Sequence, residues 1–416
     1  MSARTLRLTG AAALLVWLAF TAPLALGQRT LFLRDVFGIH LMLKDFGATE
    51  LRQGRIPAFM PSWGLGVPFR GNPQALAFYP GNLLYLALPF WSAFNLHYAL
   101  HWLLAALAMW GLARGLGLSD GGSLLAALTY AGSGVAVSAL TFYNVVTVIA
   151  WWPLVLLGAA LGGRRGMALG GAACGLAFLG GEPVTAALGL VPLALLAHER
   201  HGARRGAAVA AGIVGLGLLV ALPQVVATAR ILPFTFRAGH GLEAHQAGFY
   251  GFHLVRLLEL VIPLPFGWPA RGGAEGFWAR TVFERPPFYI SLHFGVIGLL
   301  LALAAVRRRR SWAVLAGAGV LLAWLGGRVP ELFVALSGGL FRYPEKLLFW
   351  LALGAALLAG WGFDQRAGAG RWRAAEWGAA AAWVLAALVW GVRAGMLRSA
   401  QGPVRDIVSV QGSRWA

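Results

Sequence analysis

Cysteine is almost missing from this chain. Cys174 is the single one in 416 residues, so neither a disulfide framework nor a thiolate metal cluster can be assembled. Charge is scarce too: only 12% of the residues are Asp, Glu, Lys or Arg, and 15 acidic residues stand against 34 basic ones. A soluble domain of this length needs more polar surface than that. There is no Walker loop, no Gly-rich dinucleotide fingerprint behind a strand, no His-Glu-x-x-His and no Gly-x-Ser-x-Gly elbow. P-loop, dinucleotide, zinc-protease and serine-hydrolase chemistry therefore have no carrier.

What is present is apolar surface: 59% hydrophobic residues and a mean hydropathy of +0.69. A bilayer core of about 30 Å takes roughly 20 apolar residues per helix, and about eleven segments come near that length. They run over 8–26, 94–113, 123–140, 145–161, 167–179, 184–197, 207–229, 288–306, 312–325, 347–363 and 375–392. The 57 glycines fall mostly inside them, where they permit close helix packing rather than cradle phosphate. The expected fold is an all-α polytopic membrane protein, one domain over 1–392 with a short external tail over 393–416.

The net charge of +19 could suggest nucleic acid, but the basic residues sit in short runs beside apolar segments, as positive-inside anchoring requires. Arg4 and Arg7 precede the first segment, read as an uncleaved helix. Every second connection is then basic: Arg114; Arg164 and Arg165; Arg200, Arg204 and Arg205; Arg307 to Arg310; Arg366, Arg371 and Arg373. This places the N-terminus in the cytoplasm. The alternate connections, at 28–93, 141–144, 180–183, 230–287 and 326–346, carry the unusual polar residues and lie outside.

The first long external loop begins with Asp35, followed by an apolar stripe with Lys44, Asp45 and Glu50 interleaved. That pattern predicts an amphipathic helix lying on the membrane plane, which Asp35 would either serve as a cap or leave free for chemistry. Gly, Pro, Trp and Asn from Gly54 to Asn82 imply fixed turns. Glu182 stands in a Gly-Gly-Glu-Pro turn with no cation nearby in sequence, as a second acid, a metal ligand or a solvated turn residue. His97 and His101 share a helix face at i, i+4, a spacing open to a divalent metal or to loop hydrogen bonds. Arg342 and Lys346 break the positive-inside trend beside Tyr343, Pro344 and Glu345, either to bind phosphate or to snorkel to headgroups. The loop at 230–287 contains Arg237, His240, Glu243, His245, His253, Arg256 and Glu259, none of which acquires a catalytic role from spacing alone. Trp151, Trp152, Trp268, Trp278 and Trp312 read as interface-belt residues.

The run RQGRIPAFMPSWGLGVPFRGNPQALAFYPGNLLYLALP at 52–89 resembles the first external loop of the YfhO-like bacterial membrane proteins, of the class C glycosyltransferase (GT-C) superfamily. In order, the helix of His101, the Gly-Gly-Glu-Pro turn at 180–183, LLELVIPLPFG at 257–267 and FRYPEKLLFW at 341–350 extend the resemblance over most of the chain. It implies a transferase of the bacterial inner membrane that takes a sugar from a polyprenyl-phosphate donor and passes it, on the outer face, to a cell-envelope glycan, lipid or protein. Asp35 occupies the position of the family's acidic residue after the first helix and is the expected base in an inverting transfer. Glu182 joins it in the catalytic set, Arg342 and Lys346 bind the donor phosphate, and His101 and Glu345 line the site. Whether a divalent metal takes part is left open.

A transporter or flippase would share the Gly-rich helices and basic inner loops. Transporters tend to repeat their halves and to place polar residues at mid-membrane. Here the segments are nearly free of mid-span charge, and two long outer loops have no long inner counterparts. That asymmetry favours an enzyme working at one face.

Overall fold

The computed structural model describes residues 3–235, 241–267, 287–339 and 341–368. The segment expected at 375–392, the tail, and Arg237, His240, Trp268 and Trp278 lie outside the described residues. Helix α1 (Ala3–Ala25) leads into the first long connection, which holds a π-helical turn (Val36–His40) running into α2 (Leu41–Arg52). There follow a two-stranded antiparallel pair, β1 (Phe59–Met60) and β2 (Val67–Pro68), 3-10 turns at Pro73–Ala75 and Pro80–Leu83, and α3 (Leu84–Ala87). Next come α4 (Phe90–Gly115), α5 (Asp120–Ala131), α6 (Gly134–Ala139), α7 (Tyr143–Leu161), α8 (Gly163–Leu179), α9 (Pro183–Leu188), α10 (Leu190–His201) and α11 (Ala203–Ile231). The second long connection contains α12 (Ala244–Ala247) and a 3-10 helix at Leu254–Leu260. The remaining helices are α13 (Val296–Ala305), α14 (Arg310–Arg328), α15 (Pro330–Ser337) and α16 (Leu348–Gly368).

Six of the described helices are long and apolar enough to cross a membrane, within α1, α4, α7, α11, α14 and α16. Of the eleven segments expected, one lies outside the described residues, and several others are interrupted or shorter than a full span. At 123–140 the helix breaks where Ser133 turns its hydroxyl to cap Ala136 N at 3.1 Å, a local bond that competes with helix continuation. The break admits the stretch after Tyr289: Gly134 N donates to His293 O at 2.7 Å, and Ser291 N to Ser138 Oγ at 3.1 Å. Pinned in this way, the segment at 288–306 becomes helical only at Val296. At 184–197, Pro192 has no N–H to offer Leu188, whose carbonyl instead accepts from Trp350 Nε1 at 2.8 Å.

Helix α7 is buried on nearly every side, packed against α4, α8 and α10, while α16 packs on α5, α13 and α14. The α7–α8 crossing needs glycine: a Cβ on Gly158 would stand 2.5 Å from the Gly170 Cα. Small residues of this kind let helices approach within the bilayer.

The first connection folds on its own small core of Leu43, Met60, Phe69 and Ala75. Helix α2 thus packs its Leu43 and Ala48 side inward, and Lys44 with it, rather than presenting the whole apolar stripe to lipid. Thr228 Oγ1 on α11 donates to Gly71 O at 2.9 Å and ties the loop to the bundle.

The basic connections gather at the opposite end. Arg200 reaches Gly115 O at 3.4 Å, Trp312 Nε1 donates to Glu199 at 3.0 Å, Ser119 N to Asp364 at 2.8 Å, and Arg309 stacks 4.5 Å over Trp361.

Candidate functional site

A cavity of about 400 Å³ opens at the end of the bundle away from the basic connections. Its wall is drawn from stretches distant in sequence: Asp35 and Ile39, Asn72 to Gln74, Phe142, Asn144 and Val145, Gly181 to Val184, Phe288, and Arg342, Tyr343 and Lys346.

Asp35 begins the π-helical turn, but its side chain makes no capping hydrogen bond. The capping reading therefore fails, and the half-buried carboxylate faces the cavity. Arg34 before it adopts φ +57°, a left-handed conformation costly for a residue with a Cβ and frequent at functional sites. A π-turn is a second mark of such sites. Burial raises the Asp35 carboxyl above the usual carboxylate value, against the opposing pull of Arg34, Arg342 and Lys346.

Glu182 is buried and forms an ion pair with Lys346. Its other oxygen caps α9, accepting from Thr185 N at 2.6 Å. Burial pushes this carboxyl up, but the Lys346 ammonium and the Thr185 hydrogen bond outweigh it and hold Glu182 below the ordinary range. The turn presenting it depends on Gly181, at φ +84°, where a Cβ would lie 2.5 Å from Pro73 O. Lys346 sits 5.2 Å over the Tyr343 ring and 5.5 Å over Phe288. Arg342 lies 4.6 Å over Tyr343, and no ion pair joins it to a described carboxylate. A guanidinium at a cavity wall, outside ion-pair distance of every described carboxylate, is suited to an oxyanion.

Glu345 and His101 are placed elsewhere. Glu345 is buried behind the cavity, accepting from Arg256 Nη1 at 2.6 Å. His101 Nδ1 donates to His97 O at 2.6 Å, leaving Nε2 to accept from Tyr79 O–H at 2.5 Å. His97 donates to Thr147 Oγ1 at 2.7 Å and stacks on Tyr143 at 3.7 Å. The two histidines thus serve a buried hydrogen-bonded layer under the site. Among the described residues no group of three or more His, Cys, Asp or Glu is arranged to hold a metal ion.

Three cations escaped the sequence reading. Arg34 donates to Pro287 O and Phe288 O, both at 2.7 Å. Arg256, in the second long connection and without an assigned role, is fully buried between Glu259 and Glu345. Lys44 donates to Ala75 O at 2.8 Å and Asn82 Oδ1 at 3.0 Å, and burial brings its ammonium down to about 7. Lys44 was concealed because its helix reads as interfacial, where lysines face water. Arg34 does neighbour the one carboxylate singled out in that loop, a usable signal.

This helical bundle, with a carboxylate just past its first helix and cations on the facing wall of a cavity, is similar in fold to a solved protein structure. The solved structure that shows the likeness is ArnT from Cupriavidus metallidurans bound to undecaprenyl phosphate, with a TM-score of 0.52 and 17% sequence identity. The match covers 91% of this chain and 62% of the ArnT chain. At that identity the likeness is one of fold. No family model matches the chain, and no curated protein does.

Proposed function

We propose that this chain is a membrane glycosyltransferase of the YfhO-like kind, moving a sugar from a polyprenyl-phosphate donor to an acceptor hydroxyl on a cell-envelope glycan, lipid or protein. The observation that carries the reading is the gathering of Asp35, Glu182, Arg342 and Lys346 from separate connections onto one cavity. The ArnT structure, which holds undecaprenyl phosphate in a similar fold, supports the donor class.

The chemistry needs a base on the acceptor hydroxyl and cations on the departing phosphate. Asp35 takes the hydroxyl proton as the acceptor oxygen attacks the anomeric carbon. The bond from that carbon to the phosphate oxygen breaks, the phosphate leaves with the electron pair, and the configuration inverts. Arg342 and Lys346 stabilise the phosphate; Glu182 holds Lys346 in place from the same wall. The cavity faces the outside of the bacterial inner membrane, a placement supported by the collection of basic connections at the other end of the bundle.

The test is transfer by purified protein in lipid vesicles supplied with labelled undecaprenyl-phosphate sugars and an envelope extract. Label appearing in the acceptor fraction supports the transferase. Label carried across the vesicle membrane without transfer overturns it in favour of a carrier.

A further inference from the structure

Among the described residues the Arg256 cluster is the largest buried charge assembly outside the cavity lining, and the transfer chemistry above makes no use of it. The Arg256 guanidinium is fully buried and spends every nitrogen. Nε and Nη2 bind Glu259 at 2.6 and 2.8 Å, Nη1 binds Glu345 at 2.6 Å, and Nη2 also donates to Tyr289 O at 2.5 Å. Glu345 returns to the same stretch by accepting from Tyr289 N at 3.2 Å. Two carboxylates around one guanidinium in a dry setting are a poor device for stability, since apolar residues of similar volume commonly do as well or better. The arrangement calls for another explanation.

Its neighbours supply one. Glu345 directly precedes Lys346, and Tyr289 directly follows Phe288; both Lys346 and Phe288 line the cavity. On the far side, Arg34 grips Pro287 O and Phe288 O and directly precedes Asp35. Hydrogen bonds and single peptide links thus run from Asp35 through Arg34, Phe288, Tyr289, Arg256 and Glu345 to Lys346. The geometry points to Arg256 as a positioning residue that holds the Arg342 and Lys346 wall of the cavity at a fixed distance from Asp35. Its catalytic consequence rests on the glycosyltransferase reading; the mechanical link does not.

Two measurements separate those layers. In a Cys174→Ala background, spin labels at Leu65→Cys and Leu332→Cys, both exposed, report the separation between the first loop and the stretch leading to Arg342. A narrow distance distribution that broadens in the triple variant Arg256→Met, Glu259→Leu, Glu345→Leu, at a melting temperature close to that of wild type, supports the link. An unchanged distribution overturns it whatever the enzyme's activity. The second measurement is transfer from undecaprenyl-phosphate sugar by the triple variant Arg256→Met, Glu259→Leu, Glu345→Leu, in which no unpaired buried charge remains to prevent folding. Positioning requires a folded protein with turnover lower by about a hundredfold, the scale of an ångström's misplacement. Its acid limb should also move to higher pH as the cations withdraw from Asp35. A triple variant with wild-type turnover and pH profile overturns the role. Broadening in the first measurement together with no transfer by wild type upholds the link and removes the glycosyltransferase reading alone.

Discussion

Glu182 and Lys346, 164 residues apart in sequence, meet as a buried ion pair on the wall of the cavity. Removing one member of such a pair leaves a charge without its counterion, at a cost of about 3–5 kcal/mol, whereas removing both relieves the desolvation. Glu182→Leu and Lys346→Met are each expected to lower the melting temperature strongly. The double variant should recover most of that loss while remaining poor in transfer. Denaturation of the four proteins in one detergent measures it, and additive losses count against the pairing.

The pH dependence follows from Asp35. A base must be ionised, so transfer is lost as pH falls through the Asp35 pKa, which burial places above the usual carboxylate value. Arg342 is one of the cations that pull this pKa down. Arg342→Gln should therefore move the acid limb of the rate profile to higher pH, besides weakening donor binding. An acid limb that stays in place separates Arg342 from Asp35.

Lys44 makes a stability prediction with the opposite slope to a paired lysine. Its folded value, about 7, lies below the ordinary 10.5, so the folded state disfavours the charged form. The penalty is fully present below about 7 and is released as pH rises toward 10.5. The Lys44 contribution thus makes the protein more stable with rising pH through that window. In Lys44→Met this contribution to the melting temperature between those limits should vanish. An identical slope in both proteins contradicts the assignment.

Topology has a direct check. A cysteine at Leu65, on the exposed tip between β1 and β2, should react with a membrane-impermeant thiol reagent added to intact cells. One at the exposed Arg164, on the basic end, should react only after permeabilisation. The reverse pattern puts the cavity in the cytosol.

Much of the fold could be read from hydropathy because lipid imposes length on apolar helices. The interruptions could not: nothing in the period of 123–140 says that Ser133 will cap a new helix, because the competing partner, the stretch at 291–293, is more than 150 residues away in sequence. The division of connections between a basic end and a polar end was legible in the charges themselves. Asp35, Glu182, Arg342 and Lys346 stood out as charges where charge is scarce. The partner of Glu182 stayed hidden because pairing is tertiary, and Glu345, next to the cavity residue Lys346, looked like a lining residue until its burial against Arg256 was seen. His101 carried the same ambiguity, since i, i+4 spacing fixes a shared helix face but not what that face meets.

The most direct measurement is transfer from a labelled undecaprenyl-phosphate sugar by Asp35→Asn, with retention of undecaprenyl phosphate by the same protein read in parallel. A base that acts only on the acceptor proton predicts transfer lower by about 10²–10⁴-fold with lipid-phosphate binding intact. Wild-type transfer by Asp35→Asn would contradict the role given to Asp35 and, with it, the chemistry assigned to the cavity.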